Sequence, residues 1–176
     1  MAGIARPWQR LFAEAPAGHT GCMATPYTVT RTTTIAAPAE RVHALVNDFH
    51  EWSRWSPWED YDPQMRRTYT GPDSGVGAAY AWEGNRKAGK GDMTITADAP
   101  EQVDIALNFV KPFPASNRIV LVLAPAGDTS TDVEWRLHGE LSGFTRVFAM
   151  VKSMDSLVGP DFERGLARLK RVAESG

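Results

Sequence analysis

Four histidines, one cysteine and 21 acidic residues are the groups from which this 176-residue chain could assemble a reactive site. His19 lies far from the rest, near the N-terminus. His43 and His50 share at best one helical face, and His138 falls on the polar phase of a predicted strand. No pair has the spacing of metal ligands, and Cys22 stands alone, so neither a metal site nor another cofactor is expected. The serines lack the strand–turn–helix context of a nucleophile elbow. Gly71, Gly75 and Gly77 fall in a glycine-rich run, but no Lys-Ser/Thr pair or helix follows it as in a phosphate loop; a hairpin turn explains it. What remains are Glu59, Glu83, Asn85 and Glu140, near the ends of predicted elements. A cyclase or dehydratase would need one such group as general acid or base in a dry pocket, with its proton affinity raised by burial. Glu59 is the candidate, because Trp55 and Trp58 stand beside it. The competing reading is a solvated or helix-capping carboxylate.

Those tryptophans belong to a cluster, His50-Glu-Trp-Ser-Arg-Trp-Ser-Pro-Trp-Glu59, which holds three of the chain's six. Such a concentration is costly unless buried or bound to something. Either Trp55 and Trp58 line the mouth of a cavity and stack on a ligand, or they plug the open end of a sheet as core.

The elements that must position these residues follow from periodicity. Tyr27–Ala36 is rich in β-branched residues and reads as a strand. Pro38 and Glu40 suit a helix start. Val42, Leu45, Val46 and Phe49 then form an amphipathic stripe. The tryptophan run reads as a short second helix stopping near Pro57. Strands are expected at Met65–Thr70, Ala78–Glu83, Asp92–Ala99, Gln102–Phe109, Arg118–Ala124 and Thr131–Leu141, separated by turn-rich pieces. Alternation in Val103, Ile105, Leu107 and Phe109, and in Val133, Trp135 and Leu137, predicts an antiparallel sheet with one face covered. The cover is the C-terminal helix, whose stripe runs Val147, Phe148, Val151, Met154, Val158, Phe162, Leu166 and Leu169. Gly159-Pro160 interrupts it, so a kink or brief break is expected there.

Composition bounds the function. The chain is 43% hydrophobic and 23% charged with a net charge of −2. No Lys/Arg block occurs, which argues against a nucleic-acid or anionic-membrane footprint. No segment approaches the roughly 20 apolar residues of a membrane span, so no stable membrane insertion is expected. The length fits one domain. Residues 1–26 read as a flexible N-terminal extension without a secretory signal; the first 22 alternatively reflect a start placed too early, with Met23 the true one. Residues 27–174 read as the domain. A single cysteine is compatible with a cytoplasmic protein.

At this point the residues resemble a known family. Ile35-Ala-Ala-Pro38, the run Trp55-Ser-Pro-Trp-Glu59, Asp62-Pro63, Gly71 with Gly75-Val-Gly77, and Tyr80-Ala-Trp-Glu-Gly-Asn85 are similar to the START-related, birch-pollen-allergen-like superfamily (SRPBCC). Within it, the match is to the polyketide cyclase/dehydrase and lipid-transport group. Lys111-Pro-Phe113, Val133-Glu-Trp135 with Gly139, and Gly165-Leu-Ala-Arg-Leu-Lys170 fit the same pattern. The resemblance implies an α+β helix-grip fold: a curved antiparallel sheet wrapped around a long C-terminal helix, with two short helices after the first strand. It also implies a ligand cavity between sheet and helix.

On that fold, Trp55, Trp58, Tyr80, Trp82, Met93, Ile105, Leu107, Trp135, Met154 and Gly165 are the expected ligand-binding positions. Gly165 either leaves room for a ligand or lets helix and sheet approach closely. The first functional expectation is binding of a hydrophobic small molecule, lipid or polyketide-like, by a monomer or homodimer. The second is a metal-free cyclase or dehydratase. The third is a co-chaperone-like interaction module. Fold likeness alone does not choose between them.

Overall fold

The computed structural model describes residues 25–141 and 153–175. Strand β1 (Thr25–Ile35) starts two residues before its predicted position, and helix α1 (Ala39–Val46) follows Pro38. Two 3-10 turns, Glu51–Arg54 and Glu59–Tyr61, replace the single short helix expected through the tryptophan run. Strands β2 (Arg66–Thr70), β3 (Ala79–Glu83), β4 (Lys90–Ala99), β5 (Gln102–Lys111), β6 (Ala115–Pro125) and β7 (Thr131–Leu141) come next. Helix α2 (Met154–Glu174) closes the described chain.

The seven strands form one antiparallel sheet in the order β1-β7-β6-β5-β4-β3-β2. Register shifts in β4 at Lys90/Gly91 and Ile95/Ala97 bend that strand, as an extra residue in one partner must. The apolar phase of the strands faces inward: Tyr80, Trp82, Met93, Ile95, Val103, Ile105, Leu107, Leu121, Val133, Trp135 and Leu137 all belong to the core, and Phe109 is partly buried against it. Burying large apolar side chains on one face of the sheet supplies most of the driving force, roughly 1.5–3 kcal/mol for each fully buried one.

Helix α2 lies on β1 and on the β7 side of that face. Ser153 caps it, its Oγ accepting from the Ser156 N–H at 3.2 Å. The helix runs without a break through Gly159-Pro160, where a kink or break was expected. Gly159 has a tertiary reason: a Cβ there would lie 2.1 Å from the guanidinium of Arg31. Arg31 fills that notch and bonds Asp155 at 2.7 Å and Glu163 at 2.8 Å. These bonds fasten β1 to the helix turn that Pro160 weakens by removing one N–H donor. The stripe residues Val147, Phe148 and Val151 fall outside the described residues, as does the N-terminal extension up to residue 24. Among the described residues, no helix is long and apolar enough to cross a membrane.

Candidate functional site

The tryptophans separate by what their indole nitrogens bond. Trp52 Nε1 donates to the Val46 carbonyl at 3.0 Å, and Trp55 Nε1 to the Leu45 carbonyl at 2.9 Å. Those carbonyls belong to the last turn of α1, where no helical donor is available. Trp52 and Trp55 therefore cap α1 while their rings pack 4.6 Å apart, and both are buried. Trp135 stacks on Phe162 of α2 at 4.2 Å and 15°. A Cβ on Gly165 would meet Trp135 at 2.8 Å and Pro57 at 3.0 Å. Glycine there lets α2 descend onto the sheet. Trp135 Nε1 is buried and has no partner among the described residues.

Trp58 differs. It is half-buried, touches Trp135 edge-on at 5.7 Å and Phe162 at 6.0 Å, and its nitrogen has no hydrogen-bond partner among the described residues. It forms one wall of a cavity of about 80 Å³. Trp52, Met65, Tyr80, Trp82, Ala88, Met93, Leu107, Phe109 and Ile119 supply the rest of the apolar lining, and Ser56, Glu59, Tyr61 and Lys87 the polar part. Trp82 is held flat against the sheet: its Nε1 donates to the Ala88 carbonyl at 3.0 Å, and any Cβ on Gly91 would strike its ring at 2.5 Å.

The polar part is organised around Glu59. Its Oε2 accepts from Arg67 Nε at 2.7 Å, and its Oε1 accepts from the Tyr80 hydroxyl at 3.1 Å. Arg67 also donates to the Met65 carbonyl at 3.0 Å. Burial, and then the facing Glu59 carboxylate, push the Tyr80 phenol well above the ordinary range. Tyr80 thus stays protonated and presents a hydrogen-bonding oxygen on the cavity wall. Glu59 has a donor on each oxygen, and each oxygen keeps a further lone pair.

The segment 56–62 that carries Ser56, Trp58, Glu59 and Tyr61 spans the cavity and is fastened on its outer side. Asp60 pairs with Arg168, and the Tyr61 hydroxyl donates to Asp161 at 3.0 Å. At the hairpin, the Asn85 N–H donates to Asp62 at 2.7 Å, and Asn85 Nδ2 donates to the Tyr61 carbonyl at 3.0 Å. No group of three or more potential metal ligands occurs among the described residues.

Residues 26–174 match the family described as polyketide cyclase / dehydrase and lipid transport. The chain belongs to this family. No curated protein matches it. Among solved structures, truncated norcoclaurine synthase from Thalictrum flavum is 11% identical, with a TM-score of 0.66, covering 90% of this chain and 99% of that one. A solution structure from Thermobifida fusca is 24% identical (TM-score 0.60, 83% of this chain, 92% of that one). A START superfamily protein from Mycobacterium smegmatis is 20% identical (TM-score 0.56, 84% and 97%). At these identities the likeness is one of fold.

Within this family member, five of the sequence-predicted positions meet at the cavity: Trp58, Tyr80, Trp82, Met93 and Leu107. Glu59 lies there too. Trp55, Ile105 and Trp135 are fully buried outside the lining, Gly165 serves close approach, and Met154 packs on the core's edge at the start of α2. The cavity was expected between sheet and C-terminal helix. Its described lining comes from the sheet, the 52–65 segment and the hairpin turn; Phe162, Trp135 and Leu166 fill the space under α2, and the stripe residues Val147, Phe148 and Val151 lie outside the described residues. Sequence reasoning missed Met65, Arg67 and Lys87. The Arg67–Glu59 pair joins a strand to a loop, and no periodic signal encodes it.

Proposed function

We propose that this chain binds a small hydrophobic molecule, with an aromatic or short aliphatic body, in the cavity between segment 56–62 and strands β3–β5. The observation that carries this reading is an apolar cavity with a few polar groups set into its wall, which is the usual character of a small-molecule site. Its present volume of about 80 Å³ is below the roughly 150 Å³ that accepts benzene. Binding therefore requires the wall to yield. Trp58 is the side chain suited to move, having edge contacts but no indole hydrogen bond, and Met65 and Met93 are the flexible gap-fillers beside it. The norcoclaurine synthase fold, which has been solved with dopamine and hydroxybenzaldehyde at 12% identity to this chain and a TM-score of 0.60, supports an interior site of this general kind.

The test is titration with N-phenylnaphthylamine, an uncharged fluorophore. Saturable one-to-one binding is expected, with quenching of tryptophan emission, and Trp58→Ala should bind more tightly because it widens the cavity. Failure of both proteins to bind would sink the reading.

The Glu59–Tyr80 contact favours a second reading, a cyclase or dehydratase. Tyr80 would hydrogen-bond a ligand oxygen and Glu59 would take up the proton on a remaining lone pair. On this reading, Glu59→Gln abolishes turnover of a substrate while leaving its binding intact; unchanged turnover removes Glu59 from that role.

A further inference from the structure

Ser56 is one of the few polar residues buried in this chain, at 4% exposure, and it lines the cavity. Its neighbours fix its place. Trp55 before it caps α1 through the Leu45 carbonyl. Pro57 after it is buried against α2, at the point where Gly165 leaves room. The Ser56 backbone is fully used: its N–H donates to the Trp52 carbonyl at 2.7 Å, and its carbonyl accepts from Arg168 at 3.4 Å. Its hydroxyl has no hydrogen-bond partner among the described residues. A buried polar group is normally paired, so an unpaired one calls for a reason. Among the described residues, the side-chain polar atom both sealed from solvent and unpaired is Trp135 Nε1. The Ser56 oxygen is therefore unpaired but not sealed, and the open space that Ser56 borders is the cavity.

The other polar corner of that cavity offers acceptors. Glu59 Oε1 takes one bond, from the Tyr80 hydroxyl at 3.1 Å, and keeps a lone pair. Tyr80 has spent its proton on that bond, so its oxygen can only accept from a ligand. Arg67 donates to Glu59 and to the Met65 carbonyl and balances the charge of the carboxylate. A ligand anion would face Glu59, and a ligand cation would face Arg67. In a mostly apolar cavity either charge would also lose its water, which is costly without a partner.

We infer that the ligand is a small neutral alcohol or phenol, and that Ser56 determines this choice: the ligand O–H donates to Glu59, and its oxygen accepts from the Ser56 hydroxyl. One hydroxyl satisfies both sides, because it donates and accepts at once. A hydrocarbon leaves both unpaired, and an ether or ketone sets a lone pair against Glu59. The inference rests on the cavity being a binding site.

The test measures displacement of bound N-phenylnaphthylamine from the full chain by phenol, by toluene (the same shape with methyl for hydroxyl) and by anisole (an acceptor without a donor). Phenol should bind at least about tenfold more tightly than toluene, since a site that pairs a hydroxyl rejects the analogue lacking it. Anisole should bind no better than toluene. Ser56→Ala should remove most of the phenol advantage while toluene binding persists, and a cooperative thermal transition shows that the variant is folded. Glu59→Gln, which brings an amide donor to the acceptor corner, should raise anisole relative to phenol. Phenol no tighter than toluene, or a phenol advantage that survives Ser56→Ala, overturns the inference and leaves the cavity reading standing. If N-phenylnaphthylamine itself does not bind the wild type or Trp58→Ala, the cavity reading falls and this inference with it.

Discussion

Two aromatic regions share this sheet and have opposite characters. Under β1, β7 and β6, Trp55, Trp135 and Phe162 are packed ring to ring and fully buried, with Trp52 between them and the cavity. Under β3, β4 and β5, Trp58, Tyr80 and Trp82 surround open volume and adjoin a carboxylate, a guanidinium and a lysine. The same residue types build both. The difference lies in what approaches from above. Over the first region stands α2, brought close by Gly165. Over the second, among the described residues, stands the irregular 56–62 segment, whose backbone cannot fill the trough as a helix does. Rigidity and vacancy are thus divided along one sheet, and the dry half gives the other a fixed frame.

The sharpest way to break this comparison is to remove one tryptophan from each region. Trp55→Ala deletes a fully buried ring and leaves the Leu45 carbonyl without its donor; a loss of about 3–5 kcal/mol is expected. Trp58→Ala deletes a half-buried ring at an existing cavity, and the expected loss is about 1–2 kcal/mol. Urea unfolding of both variants decides it. Equal losses would mean that Trp58 is core in the same sense as Trp55 and that the two regions are not distinct.

Gly165 tests how closely the dry region is fitted. Alanine at a helix interior normally gains up to about 1 kcal/mol over glycine. Here the added methyl meets Trp135 at 2.8 Å and Pro57 at 3.0 Å, and overpacking of a filled core costs about 1–3 kcal/mol. A net drop in the thermal midpoint is expected for Gly165→Ala. A rise would show that α2 has slack over Trp135.

How far each region was legible in the sequence follows from what periodicity reports. Alternation along β3 to β7 tells which face is buried, and the residues assigned inward are buried except Phe109, which is partly so. The stripe of α2 was read correctly in phase across Gly159-Pro160, although a break was expected there. Periodicity cannot tell which buried residue borders empty space. Trp55 and Trp58 are three apart in one run and look equivalent, yet one caps α1 and the other walls the cavity. Arg67 and Glu59 pair across a loop, and Arg86 and Lys111 line one groove from two turns. Such groupings depend on tertiary closure and leave no local trace beyond Gly89, where a Cβ would lie 2.4 Å from the Lys111 carbonyl.

The smallest expected effect separates the regions by pH. Tyr80 holds its proton more tightly folded than unfolded, because burial and Glu59 both oppose the phenolate. A group whose folded pKa is raised contributes stability that is fully present below its unfolded value, near 10 for a phenol, and lost as pH rises through the folded value. Above that unfolded pKa the unfolded chain binds fewer protons, so stability falls with pH, by at most about 1.4 kcal/mol per pH unit for one phenol. Tyr27, Tyr61 and Tyr69 are raised as well, each by burial first, so a slope is expected in any case. Tyr80→Phe should make it shallower while costing about 0.5–1.5 kcal/mol at neutral pH for the lost bond to Glu59. Urea midpoints of wild type and variant on either side of the phenol's ordinary pKa measure the difference. Parallel slopes would show that the Tyr80 hydroxyl is in effect solvated, and that the cavity region is wetter than its lining implies.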